Sequence, residues 1–308
     1  MILKNLIAPL LTMLAAQANG GDTASGADSL SLRVISFNIR YAAPGGIHER
    51  PWSVRGPRVI AQLAESATNA TAAGAVPVIG LQEVLHAQLA DIKRGLGPDW
   101  AHVGTGRDDG REKGEYCPLL YRRGAVALLD SAQRWLSPTP EKPSFWPGAG
   151  GKRYVVVGVF EDAATRRRFV AANTHLDNVS AKARTEGVKI ALDTIKEVQE
   201  KWGPGLGVAL TGDFNSEPGQ DAYETVREDG YLADLYMLVD ETRRFGPYTT
   251  YSGFDPSAEP RVEKRIDFVH VGPDDAWSAS RYEVLSNVQE GIYISDHKAV
   301  VGDVTLKS

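Results

Sequence analysis

Asp213 and Asn215 stand two residues apart in LTGDFNSEP (210–218), directly after the apolar run LGVAL (206–210). Such a run reads as a buried strand, and strand alternation puts both side chains on one side of the chain. A carboxylate beside a carboxamide at a strand end can orient a water, a hard cation or a phosphoryl oxygen. Gly-Asp-x-Asn-Ser is also good turn chemistry, so this stretch alone does not separate a site from a capped turn. Five further strand ends tip the balance. They deliver Asn38 in SLRVISFNIRY, Glu83 in PVIGLQEV, His175 in RRFVAANTHLDN, Asp267 in EKRIDFVHV, and the pair Asp296 and His297 in YISDHKAVVGDVTL. Carboxylates, carboxamides and imidazoles at six strand ends are hard to assign to capping. Glu83 reads as a metal ligand, because an acid following buried apolar residues is costly without a metal or a cationic partner.

Those groups need a frame that gathers strand ends. Leu32 to Ile39 reads as a strand, followed by a loop and a helix around 57–66, with Trp52, Arg55 and Arg58 as scaffold. Residues 77–96 are a strand running into a helix, and ligands collect at the carboxyl edge of open α/β sheets. After the Gly-rich loop 104–115, EYCPLLYRR (115–123) is expected to pair with AVALLD (125–130). The Pro- and Gly-rich stretch 135–153 reads as a long surface loop showing Trp135 and Trp146 to solvent. Its GAGGKR lacks the first Gly and the Ser/Thr of a phosphate loop. YVVVGVFED (154–162) and 167–178 form a hairpin, Lys182–Trp202 has the apolar spacing of an amphipathic helix, and 221–229 is a short helix. Many strands and few helices predict an α/β fold of two mixed sheets in one domain, residues 30–308.

Composition narrows the class. With 308 residues and 43% hydrophobic content, the chain can bury a sizeable core. Residues 1–18 carry one Lys, an apolar stretch and an Ala-Gln-Ala ending, the pattern of a secretory signal peptide, with 19–29 a flexible lead-in. The expected product is secreted, with no stable membrane anchor. Loss of Lys4 takes the formal net charge from −5 to −6, which disfavours nucleic acid as the substrate without removing the scope for a local basic patch. Cys117 is the only cysteine, so no intrachain disulfide exists, and it reads as a buried, inert thiol. Of two glycosylation triplets, Asn69-Ala-Thr71 is the preferred acceptor.

The stretches ISFNIR, IGLQEV, GEYCPLLYRR, NTHLDN, LTGDFNSEP, RIDFVHV and SDHKAV occur in this order over residues 34–300. In them the chain resembles the endonuclease/exonuclease/phosphatase superfamily of metal-dependent phosphoesterases, in wording closer to a secreted microbial subgroup than to DNA-repair members. GDFN and SDH in order are specific; QEV alone would not be. The resemblance implies a four-layer sandwich of two packed mixed β-sheets flanked by helices, with the site at one edge. It implies Mg²⁺ or Mn²⁺ on Glu83, with Asn38 and Asp296 as ligands or near neighbours. Asp213 and Asn215 would hold the attacking water and a phosphoryl oxygen. Asp267 would orient His297, and Glu115 would orient His175. Arg40, Arg153 and Asn178 are the candidate substrate contacts. The expected activity is metal-assisted attack of water on a phosphodiester or a phosphomonoester, with a small or glycan phosphoester preferred over nucleic acid or lipid. The competing readings are a nuclease of the same fold and a non-catalytic binding module.

Overall fold

The computed structural model describes residues 29–307 apart from 256, 258–261 and 274. The expected signal segment lies outside the described residues, as does nearly all of the lead-in. In chain order the strands and main helices are β1 Ser31–Asn38, α1 Trp52–Ala72, β2 Val76–Gln82, α2 His86–Leu96, β3 Trp100–Val103, β4 Leu119–Arg122, β5 Val126–Trp135 and β6 Tyr154–Asp162. There follow β7 Arg168–His175, α3 Ala181–Trp202, β8 Gly207–Asp213, α4 Asp221–Asp229, β9 Ala233–Asp234, β10 Arg244–Phe245, β11 Asp267–Gly272 and β12 Trp277–Val284. The chain closes with the small pair β13 Val288–Gln289 and β14 Ile292–Tyr293, then β15 Val300–Leu306.

Among the described residues, one sheet has the order β10-β12-β15-β1-β2-β4-β3 and the other β5-β6-β7-β8-β11-β9. Both are mixed: β1 runs parallel to β2, and β7 parallel to β8, within otherwise largely antiparallel sheets. Strand alternation sorts the side chains into three apolar layers. Leu32, Val34 and Val78 of the first sheet meet Ala171, Ala209 and Val269 of the second. Ile35, Phe37, Ile79 and Leu81 face the other way, onto Val59 and Leu63 of α1 and Leu89 and Ile92 of α2. Val157, Val170 and Leu210 likewise pack on Val188, Leu192 and Ile195 of α3. This is an α/β sandwich of four layers, helix–sheet–sheet–helix.

Three local expectations fail. β4 pairs with β2 and β3, not with β5, which belongs to the second sheet beside β6. The turn at 123–125 carries the chain from one sheet to the other, so Tyr121 packs on Phe160 across the sandwich instead of along a hairpin. Trp135 is not exposed but 6% accessible, its indole N–H donating to the Arg107 carbonyl at 2.9 Å. The first helix is also longer than expected, because Pro57 sits inside it and does not begin it.

Candidate active site

The inter-sheet layer changes character along its length. Past Val34, the inward positions of β1 are Ser36 and Asn38; past Val78, those of β2 are Gly80 and Gln82. In the second sheet the same positions are Asn173, His175, Thr211, Asp213 and Asp267. Gly80 is required by closeness: a Cβ there would stand 1.9 Å from Thr211 Oγ1. Beneath the site the sheets are tied by polar contacts. Gln82 donates to Asn173 Oδ1 at 2.8 Å, Thr211 donates to the same oxygen at 3.0 Å, and Asn173 donates to the Leu81 carbonyl at 2.7 Å. This network replaces the apolar core where acids must be buried, and among its side chains Gln82 Oε1 is left without a partner. It was not anticipated from the sequence; polar residues at inward positions of apolar strands were the available signal.

Register puts three functional side chains in one row, with His175 opposite Asp213 and Asp213 opposite Asp267. Asp213 is the hub. Its Oδ1 accepts the Asn215 N–H at 2.9 Å, and its Oδ2 accepts the Asn38 amide at 2.9 Å. That oxygen also faces His175 Nε2 at 3.4 Å and His297 Nε2 at 3.7 Å. His297 turns Nδ1 to Asp267 at 2.8 Å, and Thr250 fixes the same carboxylate with a hydroxyl donated at 2.7 Å. Burial opposes a charge on His297, but Asp267 and Asp213 outweigh it and raise its pKa well above the ordinary imidazole value. Burial, with Asp267 beside it, pushes Asp213 up to about 7. His175 is the opposite case: burial and the charges of Arg153 and Arg107 hold it well below the usual imidazole range.

The metal candidates lie on the first sheet's side. Glu83 takes the Asn38 amide on Oε1 at 3.2 Å and the Tyr41 N–H on Oε2 at 3.2 Å. Asn38 spends its oxygen on the Arg40 N–H at 3.0 Å, so its amide nitrogen bridges Glu83 and Asp213. It thereby links the two carboxylates as a near neighbour of Glu83. Burial raises the pKa of Asp296; the adjoining His297 opposes this and the charge of Glu83 adds to it. Two half-buried carboxylates that repel each other suit a hard divalent cation. Asp213, Asp267 and His297 also bring ligand-capable atoms within 4.8 Å of one another. There, however, the imidazole is already hydrogen-bonded to one carboxylate and faces the other, which favours proton handling over ligation.

Arg40, a candidate substrate contact, pairs with Glu49 at 3.0 Å and stands 3.9 Å from Glu83. Arg40, Glu83 and Asn215 all have positive φ (58°, 58° and 48°), a conformation that L-residues avoid unless the surroundings impose it. Arg55 does part of the imposing. Fully buried, it donates to the carbonyls of Ile39, Arg40, Tyr41, Arg50 and Ile294, clamping the loop after β1 to the segment leading to Asp296. Its scaffold role is thereby visible.

The expected pairing of Glu115 with His175 is not formed. Arg107 instead takes both Glu115 oxygens, at 2.8 and 2.7 Å, in a bidentate pair that holds the carboxylate towards the guanidinium. His175 Nε2 instead meets the Asn215 amide at 3.1 Å. Arg153 donates to Asn178 Oδ1 at 3.0 Å, which brings these two candidates together beside His175. Cys117 is buried and its thiol pKa is raised by burial, as an inert side chain requires. Asn69 is exposed, on the last turn of α1.

A two-sheet sandwich with acids, amides and imidazoles at one edge defines a phosphoric ester hydrolase. The chain belongs to the Endonuclease/Exonuclease/phosphatase family, whose sequence pattern matches residues 35–297. A family protein of known structure from Bacteroides thetaiotaomicron is 30% identical, the alignment covering 91% of this chain and 96% of that one, with a TM-score of 0.77. A mannosyl-6-phosphatase from the same species is 31% identical over 89% of this chain and 99% of that one, TM-score 0.75. The 2′,3′-cyclic phosphatase ANGEL2 shares the fold at 16% identity, over 91% of this chain and 97% of that one, TM-score 0.67. No curated protein matched the chain.

Proposed function

We propose that the protein hydrolyses a small or glycan phosphoester with the help of Mg²⁺ or Mn²⁺. The observation that carries this reading is the hub at Asp213, flanked within 3.7 Å by two imidazoles and bonded to two asparagines. Glu83 and Asp296 would hold the ion, which when bound supplies positive charge to the phosphoryl group and the leaving oxygen. Asp213 orients the attacking water and receives its proton. Asn215, whose amide nitrogen is committed to His175 and the Leu176 carbonyl, has its Oδ1 left to position that water. His297, charged between Asp267 and Asp213, stabilises the charge that builds on the phosphoryl oxygens. The likeness to the mannosyl-6-phosphatase supports a small sugar phosphoester. The composition of residues 1–18 supports export, which sequencing of the mature N terminus would test.

The mature protein should be incubated with p-nitrophenyl phosphate, its bis-ester and plasmid DNA, each with Mg²⁺, Mn²⁺ or chelator. Chelator-sensitive nitrophenol release without plasmid nicking is the expected result. Nicking would transfer the reading to a nuclease, and no turnover of any of the three would favour a binding module.

A further inference from the structure

Behind His175 lies a pocket of about 10 Å³, lined by Arg107, Glu115, Cys117, Lys152, Arg153, Tyr154 and the imidazole itself. That is room for a single water-sized oxygen. Arg153 is 8% exposed, and its Nε and Nη1 are buried without a hydrogen-bond partner. Among the described residues, it alone leaves two guanidinium nitrogens in that condition. Its neighbour Asp177 compensates charge but not hydrogen bonding. The approach to Nε is 3.8 Å, and both carboxylate oxygens are taken by the backbone N–H groups of Val179, Ser180, Gly150 and Gly151. Arg107 is in a different state, being matched to Glu115.

The third unused group is His175 Nδ1, also buried and without a partner. Because Asn215 donates to Nε2, the neutral ring carries its proton on Nδ1. Three donors therefore line one small pocket, and buried donors without acceptors are rare enough to require a cause. Resting on the function proposed above, we propose that this pocket receives one bare, negatively charged oxygen of the phosphoryl group, and that it makes the enzyme select phosphomonoesters over phosphodiesters. In an in-line displacement three oxygens lie around phosphorus in the equatorial plane. In a monoester all three are bare and share the negative charge. A diester has only two bare oxygens sharing one charge, so the oxygen it offers this pocket carries less charge than a monoester's and gains less from the Arg153 guanidinium.

The test compares wild type with Arg153→Gln on p-nitrophenyl phosphate and its bis-ester, and measures inorganic phosphate binding by calorimetry. Wild type should prefer the monoester. The variant should lose on the order of 10²-fold in monoester kcat/KM, as for removal of one transition-state donor. The monoester-to-diester ratio should fall at least tenfold, and phosphate should bind at least tenfold more weakly. Arg153→Lys, which keeps the charge but not the fork, should fall between and serves if the Gln variant does not fold. Equal losses on both esters, a wild-type preference for the diester, or unchanged phosphate affinity would each overturn the proposal. Absence of turnover by wild type would count against the proposed function instead, and phosphate affinity would then decide the pocket by itself.

Discussion

His297 and His175 flank the same carboxylate and yet live in opposite surroundings. His297 sits between Asp267 and Asp213, so burial is overridden and the ring is charged. His175 sits beside Arg153 and Arg107, so burial is reinforced and the ring is neutral. One residue type thus becomes a fixed positive charge on one side and a neutral hydrogen-bonding group on the other. The sequence shows both only as histidines at strand ends. Their difference comes from residues far away in the chain.

The largest effect should come from the group they share. Asp213→Ala should lower kcat on the order of 10⁴-fold with the melting temperature nearly kept, as assayed with p-nitrophenyl phosphate. A drop of less than tenfold would dissolve the hub. Next comes the asymmetry itself. His297→Gln should cost on the order of 10³-fold by losing the charge, and His175→Gln about tenfold, because an amide can replace a neutral donor. Equal losses would mean that the two surroundings do not set two roles. Beneath both, Gly80→Ala forces the sheets apart at Thr211 and should destabilise the fold by about 2 kcal/mol, read from urea unfolding.

The smallest effect concerns a histidine far from the chemistry. His270 is buried against Phe214, with Asp234 and Arg265 nearby, and burial lowers its pKa to about 4. Unfolded, the group titrates near 6.5. Between pH 6.5 and 4 the unfolded chain therefore binds the extra proton, and the native state loses stability as the pH falls. Thermal melts should show the midpoint dropping by roughly 5 °C over that window. His270→Asn should flatten the slope; a variant with the wild-type slope would acquit this residue.

Much of this architecture was legible because strand alternation is a local signal. The ends of β1, β2, β7, β8 and β11 could be read residue by residue, and they converge as the family resemblance implied. What failed depended on distant partners. Nothing around Glu115 announces that Arg107 will occupy it, since the loop that folds Arg107 back is set by its own turns and by Trp135. The β4–β5 pairing failed similarly, because a short turn between two strands does not say whether they share a sheet. Gln82, Asn173 and Thr211 carry no local signal of a shared network. Their value appears only when two sheets bring them within hydrogen-bond reach.

The position of β15 has a temporal consequence. This strand lies between β12 and β1, pairing Thr305 with Ser31 across nearly the whole described chain, and Asp296 and His297 immediately precede it. The first strand therefore keeps one edge unpaired until residues 300–306 are in place. Without that segment the second sheet can hold Asp213, His175 and Asp267 in register, but His297 is missing from between its carboxylates. Closing the first sheet and seating the charged imidazole are thus one and the same event.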